Sequence, residues 1–170
     1  MDLLTRRKIT RDEFADRWAA SREKFYRFAY CYVKNENDAL EILSEATYRA
    51  FCALDSLRRP EYFDTWMCRI LIRCACDFLR QQRRCVPCGE LPEDAGQPPE
   101  QEAADTRMDV YRLMDALPAE ERSLLILKFF EEKTFEEIAD ITEQPVSTVK
   151  SRIYRSLARL RRTQEGGERL

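Results

Sequence analysis

Glycine is missing from the first 88 residues of this 170-residue chain and again from 97 to 165. The only four glycines are Gly89, Gly96, Gly166 and Gly167. Glycine weakens helix interiors, and here every one falls outside a helical pattern. Four of the seven prolines (Pro87, Pro92, Pro98, Pro99) share the middle stretch with Gly89 and Gly96. Residues 85–105 also carry six acids, no base and few large apolar side chains. Breakers plus one sign of charge mark an extended, flexible tether. Neither strand-like alternation nor an internal repeat stands out. The expected fold is therefore all-α, with two small helical domains joined by an acidic flexible linker. The domains span 1–84 and 106–165, the linker 85–105 and a tail 166–170. A chain of this length suits one domain of ordinary size or two small ones with modest cores, and the tether favours two.

The net charge of −2 conceals a strong asymmetry. Residues 1–84 hold 17 bases and 13 acids, and 106–143 hold 5 bases and 10 acids. From 144 to 164 there are six bases (Lys150, Arg152, Arg155, Arg159, Arg161, Arg162) and no acid. Local clusters of Lys and Arg, not the average, are what an anionic polymer meets.

There is no histidine. That removes Ser-His-Asp and Cys-His nucleophiles, His-bearing zinc sites and imidazole bases; no catalytic residue, metal or cofactor is expected. Seven cysteines without a secretory leader read as reduced thiols, so a cytoplasmic location is expected. No apolar run suffices to enter a membrane; the densest, Leu124 to Phe130, is interrupted by Lys128. Cys85-Val86-Pro87-Cys88 is the one C-x-x-C; its functional reading is a metal or redox site, which Cys74 and Cys76 could join. At i and i+2 on a helix those two diverge by about 200°, which favours incidental cysteines.

In the first module Thr10-Arg11-Asp12-Glu13 forms a capping box. Phe14, Trp18, Phe25, Phe28, Ala29 and Tyr32 follow at helical spacing. Asn35 to Asp38 marks a turn, after which Ala39, Ile42, Leu43, Ala46, Ala50 and Leu54 repeat at three and four. Arg58-Arg59-Pro60 breaks that pattern. A third helix carries Phe63, Trp66, Met67, Ile70, Cys74 and Phe78 on one face, and Arg69, Arg73, Arg80, Arg83 and Arg84 against the single acid Asp77. Tyr62, Phe63 and Trp66 precede these arginines, a combination suited to capturing unpaired bases while tracking a backbone. Phe63 and Trp66 fit the core stripe equally well.

The second module reads as four helices. Val110, Leu113, Met114 and Leu117 define the first, and Pro118 opens the next in front of Glu120 and Glu121. Thr134-Phe135-Glu136-Glu137 is a second capping box, leading into Ile138, Ala139 and Ile141. After Thr142 to Pro145 comes a final helix with Val149, Ile153, Leu157 and Leu160 inward. These four positions fall within an arc of about 80°, leaving Ser151, Arg155 and Arg162 opposite. A short capped helix, a turn and a basic, hydroxylic helix make a helix-turn-helix, whose second helix enters a major groove.

The segments Asp38–Glu45, Phe63–Ile70 and Asp77–Arg80 resemble the region-two signature of bacterial sigma factors. Leu117–Arg122, Phe135–Ala139 and Thr148–Arg152 resemble the region-four signature. Two domains and a short linker match the layout of the extracytoplasmic-function group, and the resemblance covers 14–84 and 107–162. It implies a non-enzymatic protein that binds core RNA polymerase and promoter DNA and is controlled by an anti-sigma factor. By that resemblance, helix 38–54 docks on the polymerase clamp through Asp38, Glu41 and Glu45. The loop 55–62 and helix 63–80 hold the minus-ten element, with Phe63 and Trp66 shaping a base pocket and Arg69, Arg73 and Arg80 on the backbone. Helix 146–162 reads the minus-thirty-five element through Ser147, Thr148, Lys150, Ser151, Arg152, Tyr154, Arg155 and Arg159. The chain departs from the usual pattern at Ser44, Thr47, Arg73 and Glu143, where Gln, an aromatic, Asn and Gly are usual. The alternative is a two-domain helix-turn-helix regulator without sigma activity.

Overall fold

The computed structural model describes residues 8–85 and 114–167. Every regular element among them is helical, and the chain divides into two compact units, Met1–Gly89 and Glu90–Leu170. Of the linker expected over 85–105, Cys85 is instead the last residue of a helix that begins at Phe63, because the helix runs one residue past the expected boundary. Residues 86–105, Cys88 included, lie outside the described residues. So does most of the helix expected around Val110 and Leu113.

The first unit holds α1 (Arg11–Val33), α2 (Glu36–Cys52) and α3 (Phe63–Cys85), and each packs against the other two. The capping box forms as expected: Thr10 Oγ1 accepts from Glu13 N at 3.2 Å, and Glu13 Oε2 accepts from Thr10 N at 3.0 Å. These bonds satisfy two otherwise orphan donors. Lys34 ends α1 in the left-handed conformation, and Asn35 Oδ1 then caps α2 by accepting from Asp38 N at 3.0 Å. Between α2 and α3 the chain makes two short 3-10 turns, Leu54–Ser56 and Pro60–Tyr62, pinned by the buried Leu57.

The core of this unit is aromatic on one side and small on the other. Phe14, Phe25, Phe28, Tyr32 and Phe63 are buried with Met67 and Leu71, while α2 contributes Ala39, Ala46 and Ala50 beside Ile42 and Leu43. Rings of α1 and α3 meet edge-on, with Phe14 and Phe63 centroids 5.9 Å apart. Each large ring buried here is worth about 1.5–3 kcal/mol.

The described part of the second unit, from Met114 on, contains α4 (Ala119–Leu125), which runs into a π-helical turn over Ile126–Phe130. It continues with α5 (Phe135–Thr142) and α6 (Val146–Gly167). Leu124, Leu125, Ile126, Leu127, Ile138, Ile141, Val149 and Ile153 form its core. Leu157 and Leu160, expected inward, are only half-buried. The buried position between them and Ile153 is Ser156. Its hydroxyl donates to Glu121 Oε2 at 3.0 Å, which satisfies a polar group that would otherwise be costly to bury. Arg122 is also buried, held by Asp115 Oδ1 at 3.3 Å and the Asp115 and Leu117 carbonyls. Helix α6 extends through Gly166 and Gly167, past the expected boundary at 165.

Candidate nucleic-acid and polymerase interfaces

The helix-turn-helix is built from α5 and α6. Thr134 and Glu137 exchange the two capping-box bonds, at 3.1 Å and 2.8 Å, which fixes where α5 starts. The Thr134 backbone N–H is the main reason the Glu137 carboxyl is held below its ordinary pKa, with Lys133 adding to it. At the other end Glu143 sits at φ 56°, ψ 39°. This position requires the left-handed conformation that glycine supplies most readily, and glutamate adopts it here. Gln144 N then bonds back to Ala139 O at 3.1 Å, reversing the chain into α6.

On α6 the structure exposes Ser147, Lys150, Ser151, Tyr154, Arg155 and Arg159, and leaves Thr148 and Arg152 half-buried. All eight expected residues thus lie on one helix, opposite or beside the buried Val149, Ile153 and Ser156. Their surroundings differ. Ser151 Oγ is occupied by the Thr148 carbonyl at 3.0 Å. Arg159 leans to Glu121, 3.9 Å away. Lys150 Nζ lies 5.2 Å from the centre of the Phe135 ring, which also borders Tyr154 at 6.4 Å. Phe135 therefore seats two groups of the next helix, a role not visible from its place in the capping-box motif. Lys128 Nζ lies 4.5 Å from the same ring, so two ammonium groups share it.

In the first unit Asp38, Glu41 and Glu45 line α2, with Glu41 and Glu45 exposed and Asp38 half-buried. Asp38 accepts from Gln82 Nε2 at 3.1 Å, tying the start of α2 to the end of α3. Glu45 pairs with Arg49 at 2.6 Å, Arg49 reaches Asp77 at 3.1 Å, and Asp77 holds Arg80 at 3.2 Å. The expected polymerase residue Glu45 and the expected DNA residue Arg80 are thereby the two ends of one ion-pair chain. Sequence reading missed its middle, because Arg49 and Asp77 lie 28 residues apart on different helices.

Phe63 is 2% exposed and belongs to the core, packed with Phe14, Phe25 and Trp66. Trp66 is half-buried and donates its indole N–H to Ser56 Oγ at 3.0 Å, fastening the loop to α3. Arg69 is half-buried, and Arg73 and Arg80 are exposed along the same helix. Burial pushes the Cys74 thiol up to about 11, so it is an inert packing group. No group of three or more candidate metal ligands occurs among the described residues, and no helix among them is long and apolar enough to cross a membrane.

The fold and these surfaces define a protein of two units, helical among the described residues, with a helix-turn-helix whose second helix exposes a basic face. Comparison with known proteins gives the family. Residues 18–85 match Sigma-70 region 2, and residues 107–160 match Sigma-70, region 4. RNA polymerase sigma factor SigV of Bacillus subtilis is 40% identical over 141 residues, covering 82% of this chain and 84% of that one. The ECF RNA polymerase sigma factor SigW of the same organism is 29% identical over 175 residues, covering 92% and 91%. Among solved structures, the sigma factor RpoE of Bartonella quintana, in complex with the anti-sigma factor NepR, superimposes with a TM-score of 0.75 at 21% identity. That match covers 91% of this chain and 98% of the other. CnrH in complex with the cytosolic domain of CnrY gives 0.67 at 20% identity, covering 92% and 90%. The ECF RNA polymerase sigma-E factor of Escherichia coli is 32% identical over 133 residues, covering 70% of each chain. The chain belongs to the extracytoplasmic-function group of bacterial RNA polymerase sigma factors, which are transcription initiation factors.

Proposed function

We propose that the chain acts in the cytoplasm by three surfaces. Helix α2 docks on core RNA polymerase through Asp38, Glu41 and Glu45. The loop before α3, with Trp66 over the buried Phe63 and with Arg69, Arg73 and Arg80 along the helix, opens and holds the minus-ten element. Helix α6 reads the minus-thirty-five element through Lys150, Ser151, Arg152 and Arg155, with Ser147, Thr148, Tyr154 and Arg159 beside them. The observation that carries this reading is the exposed face of α6: it is basic and hydroxylic, lacks any acid from 144 to 164, and follows a capped helix and a tight turn. A merely solvated face mixes signs. Arginine and lysine on such a helix read guanine edges while hydroxyls hold phosphates.

The domain division follows, with 1–84 for polymerase and the minus-ten element and 106–165 for the upstream element. The six acids and no base of 85–105 suit a basic surface of the polymerase that otherwise meets nucleic acid. An anti-sigma factor is the expected regulator, supported by the structural relative RpoE of Bartonella quintana, which is in complex with the anti-sigma factor NepR. Reconstitution tests the reading: the chain forms a holoenzyme with core polymerase at micromolar concentration and starts transcripts at discrete promoters. Specific duplex binding without holoenzyme would favour a regulator that works without sigma activity.

A further inference from the structure

Helices α2 and α3 are joined by a line of four charges that alternate in sign. Glu45 and Arg49 lie one turn apart on α2, and Asp77 and Arg80 one turn apart on α3. Arg49 Nε donates to Glu45 Oε1 at 2.6 Å and its Nη1 to Asp77 Oδ2 at 3.1 Å, while Asp77 Oδ1 accepts from Arg80 Nη1 at 3.2 Å. Each inner member is thus shared between two partners. The outer members are not shared: among the described residues Arg49 is the only ion-pair partner of Glu45, and Asp77 the only one of Arg80. The line runs along an open groove between the two helices, bordered by Glu41 and Gln81, and both of its ends are exposed.

A shared ion divides its hydrogen bonds, so a change at one end of such a line is felt at the other. A cation that takes Glu45 leaves Arg49 with Asp77 alone. The guanidinium is then free to place two N–H groups on the two oxygens of Asp77, the bidentate arrangement that arginine and carboxylate favour. Arg80 loses its oxygen in that exchange and is released. From the other end, an anion that takes Arg80 leaves both oxygens of Asp77 to Arg49, and Glu45 is released. The neighbouring tie between the same helices, from Gln82 Nε2 to Asp38 at 3.1 Å, contains no cation and relays no charge.

We propose that Arg49 and Asp77 are positioning residues that couple two faces of the first unit, so that a cationic group docking on Glu45 frees Arg80 for a phosphate, and a phosphate on Arg80 frees Glu45. Such coupling is reciprocal, as linkage between two binding equilibria requires. The occupants, polymerase at Glu45 and promoter backbone at Arg80, rest on the function proposed above; the relay itself belongs to the chain alone. All four side chains keep 40–60% of their surface, so water limits the effect to a few-fold.

The full chain, without DNA, is treated with phenylglyoxal, which modifies accessible guanidiniums, and the rate at Arg80 is followed by peptide mass spectrometry. Glu45→Gln, which stands in for a docked cation, raises that rate about two- to fivefold. Glu41→Gln removes the same charge one turn earlier on the same helix and leaves the rate unchanged. Arg49→Met lowers it, because Asp77 then serves Arg80 alone, and adding Glu45→Gln in that background has no further effect. Asp77→Asn raises it whichever residue stands at 45. The opposite signs separate a relay from loosened packing, since an Arg49 that merely held the helices together would speed the labelling when removed. Core polymerase acts on wild type as Glu45→Gln does, and not on Arg49→Met. The relay is overturned if Glu45→Gln leaves Arg80 unchanged, or if Arg49→Met speeds its labelling. A response to Glu45→Gln with none to core polymerase would uphold the relay and remove Glu45 from the polymerase face.

Discussion

Arg49 on α2 and Asp77 on α3 are joined at 3.1 Å, and Arg49 simultaneously holds Glu45 at 2.6 Å. The two carboxylates raise the Arg49 pKa further, so the arginine is charged at every accessible pH. Each member of the chain from Glu45 to Arg80 keeps 40–60% of its side-chain surface. Water therefore screens these pairs, and together they contribute about 1 kcal/mol or less. Arg49→Met should lower the denaturation midpoint of the first unit slightly in low salt and less in high salt. An equal loss in both would assign the effect to packing of the arginine stem.

The Glu137 carboxyl gives the second unit an acid sensitivity of definite sign. Its folded pKa lies below the ordinary value, so its stabilisation is complete above the unfolded pKa and is lost as pH falls through the lower, folded one. The side chain is about half exposed, so the effect is modest. Glu137→Gln, which keeps an acceptor for the Thr134 N–H, should flatten the fall in thermal midpoint between neutral pH and about pH 3. Thr134→Ala should cost about 1 kcal/mol at neutral pH.

Features fixed by local chemistry were legible in the sequence. Both capping boxes, the turn at Asn35 and the stripe of α2 from Ala39 to Ala50 depend on residues within four positions of one another and form where the spacing puts them; Leu54, expected to continue that stripe, lies half-buried in the 3-10 turn after α2 ends at Cys52. The eight basic and hydroxylic residues of α6 share one helix for the same reason. Long-range pairings were not legible. Nothing near Arg17 in sequence points to the Pro60 carbonyl 43 residues away, and nothing near Ser156 points to Glu121. Helical periodicity placed Leu157 inward but could not show that a serine with a carboxylate partner occupies the buried position beside it. Phe63 suited both core and surface by pattern; its contacts with Phe14 and Phe25 decide for the core.

Glu143 holds the turn at positive φ, a conformation that costs a residue with a Cβ about 1 kcal/mol or more. Asparagine tolerates this region far better than β-branched residues do. Glu143→Asn should therefore keep the thermal midpoint of the second unit, while Glu143→Val should lower its stability by about 1–2 kcal/mol. Upstream DNA affinity should fall with Glu143→Val and hold with Glu143→Asn, because this residue sets the angle between α5 and α6. Two variants with equal midpoints would mean that the turn carries no strain.

Arg155 is exposed on α6 and has no ion-pair partner among the described residues, whereas Arg159 is drawn toward Glu121 and Lys150 rests by Phe135. Arg155 is thus an exposed guanidinium that can reach a base edge without first breaking an internal contact. With holoenzyme on promoter duplexes defined by transcript mapping, Arg155→Ala should cost about 1–3 kcal/mol and relax selection at one upstream base pair. Arg159→Ala should cost less, because its pairing with Glu121 offsets part of any DNA contact. A phosphate role for Arg155 would look different: affinity would drop uniformly across sequences, and the salt dependence would weaken by about one counterion. Phe135→Leu separates the seat from the contact. It should reduce binding through Lys150 and Tyr154 while leaving the base selected by Arg155 unchanged, because Arg155 does not depend on that ring.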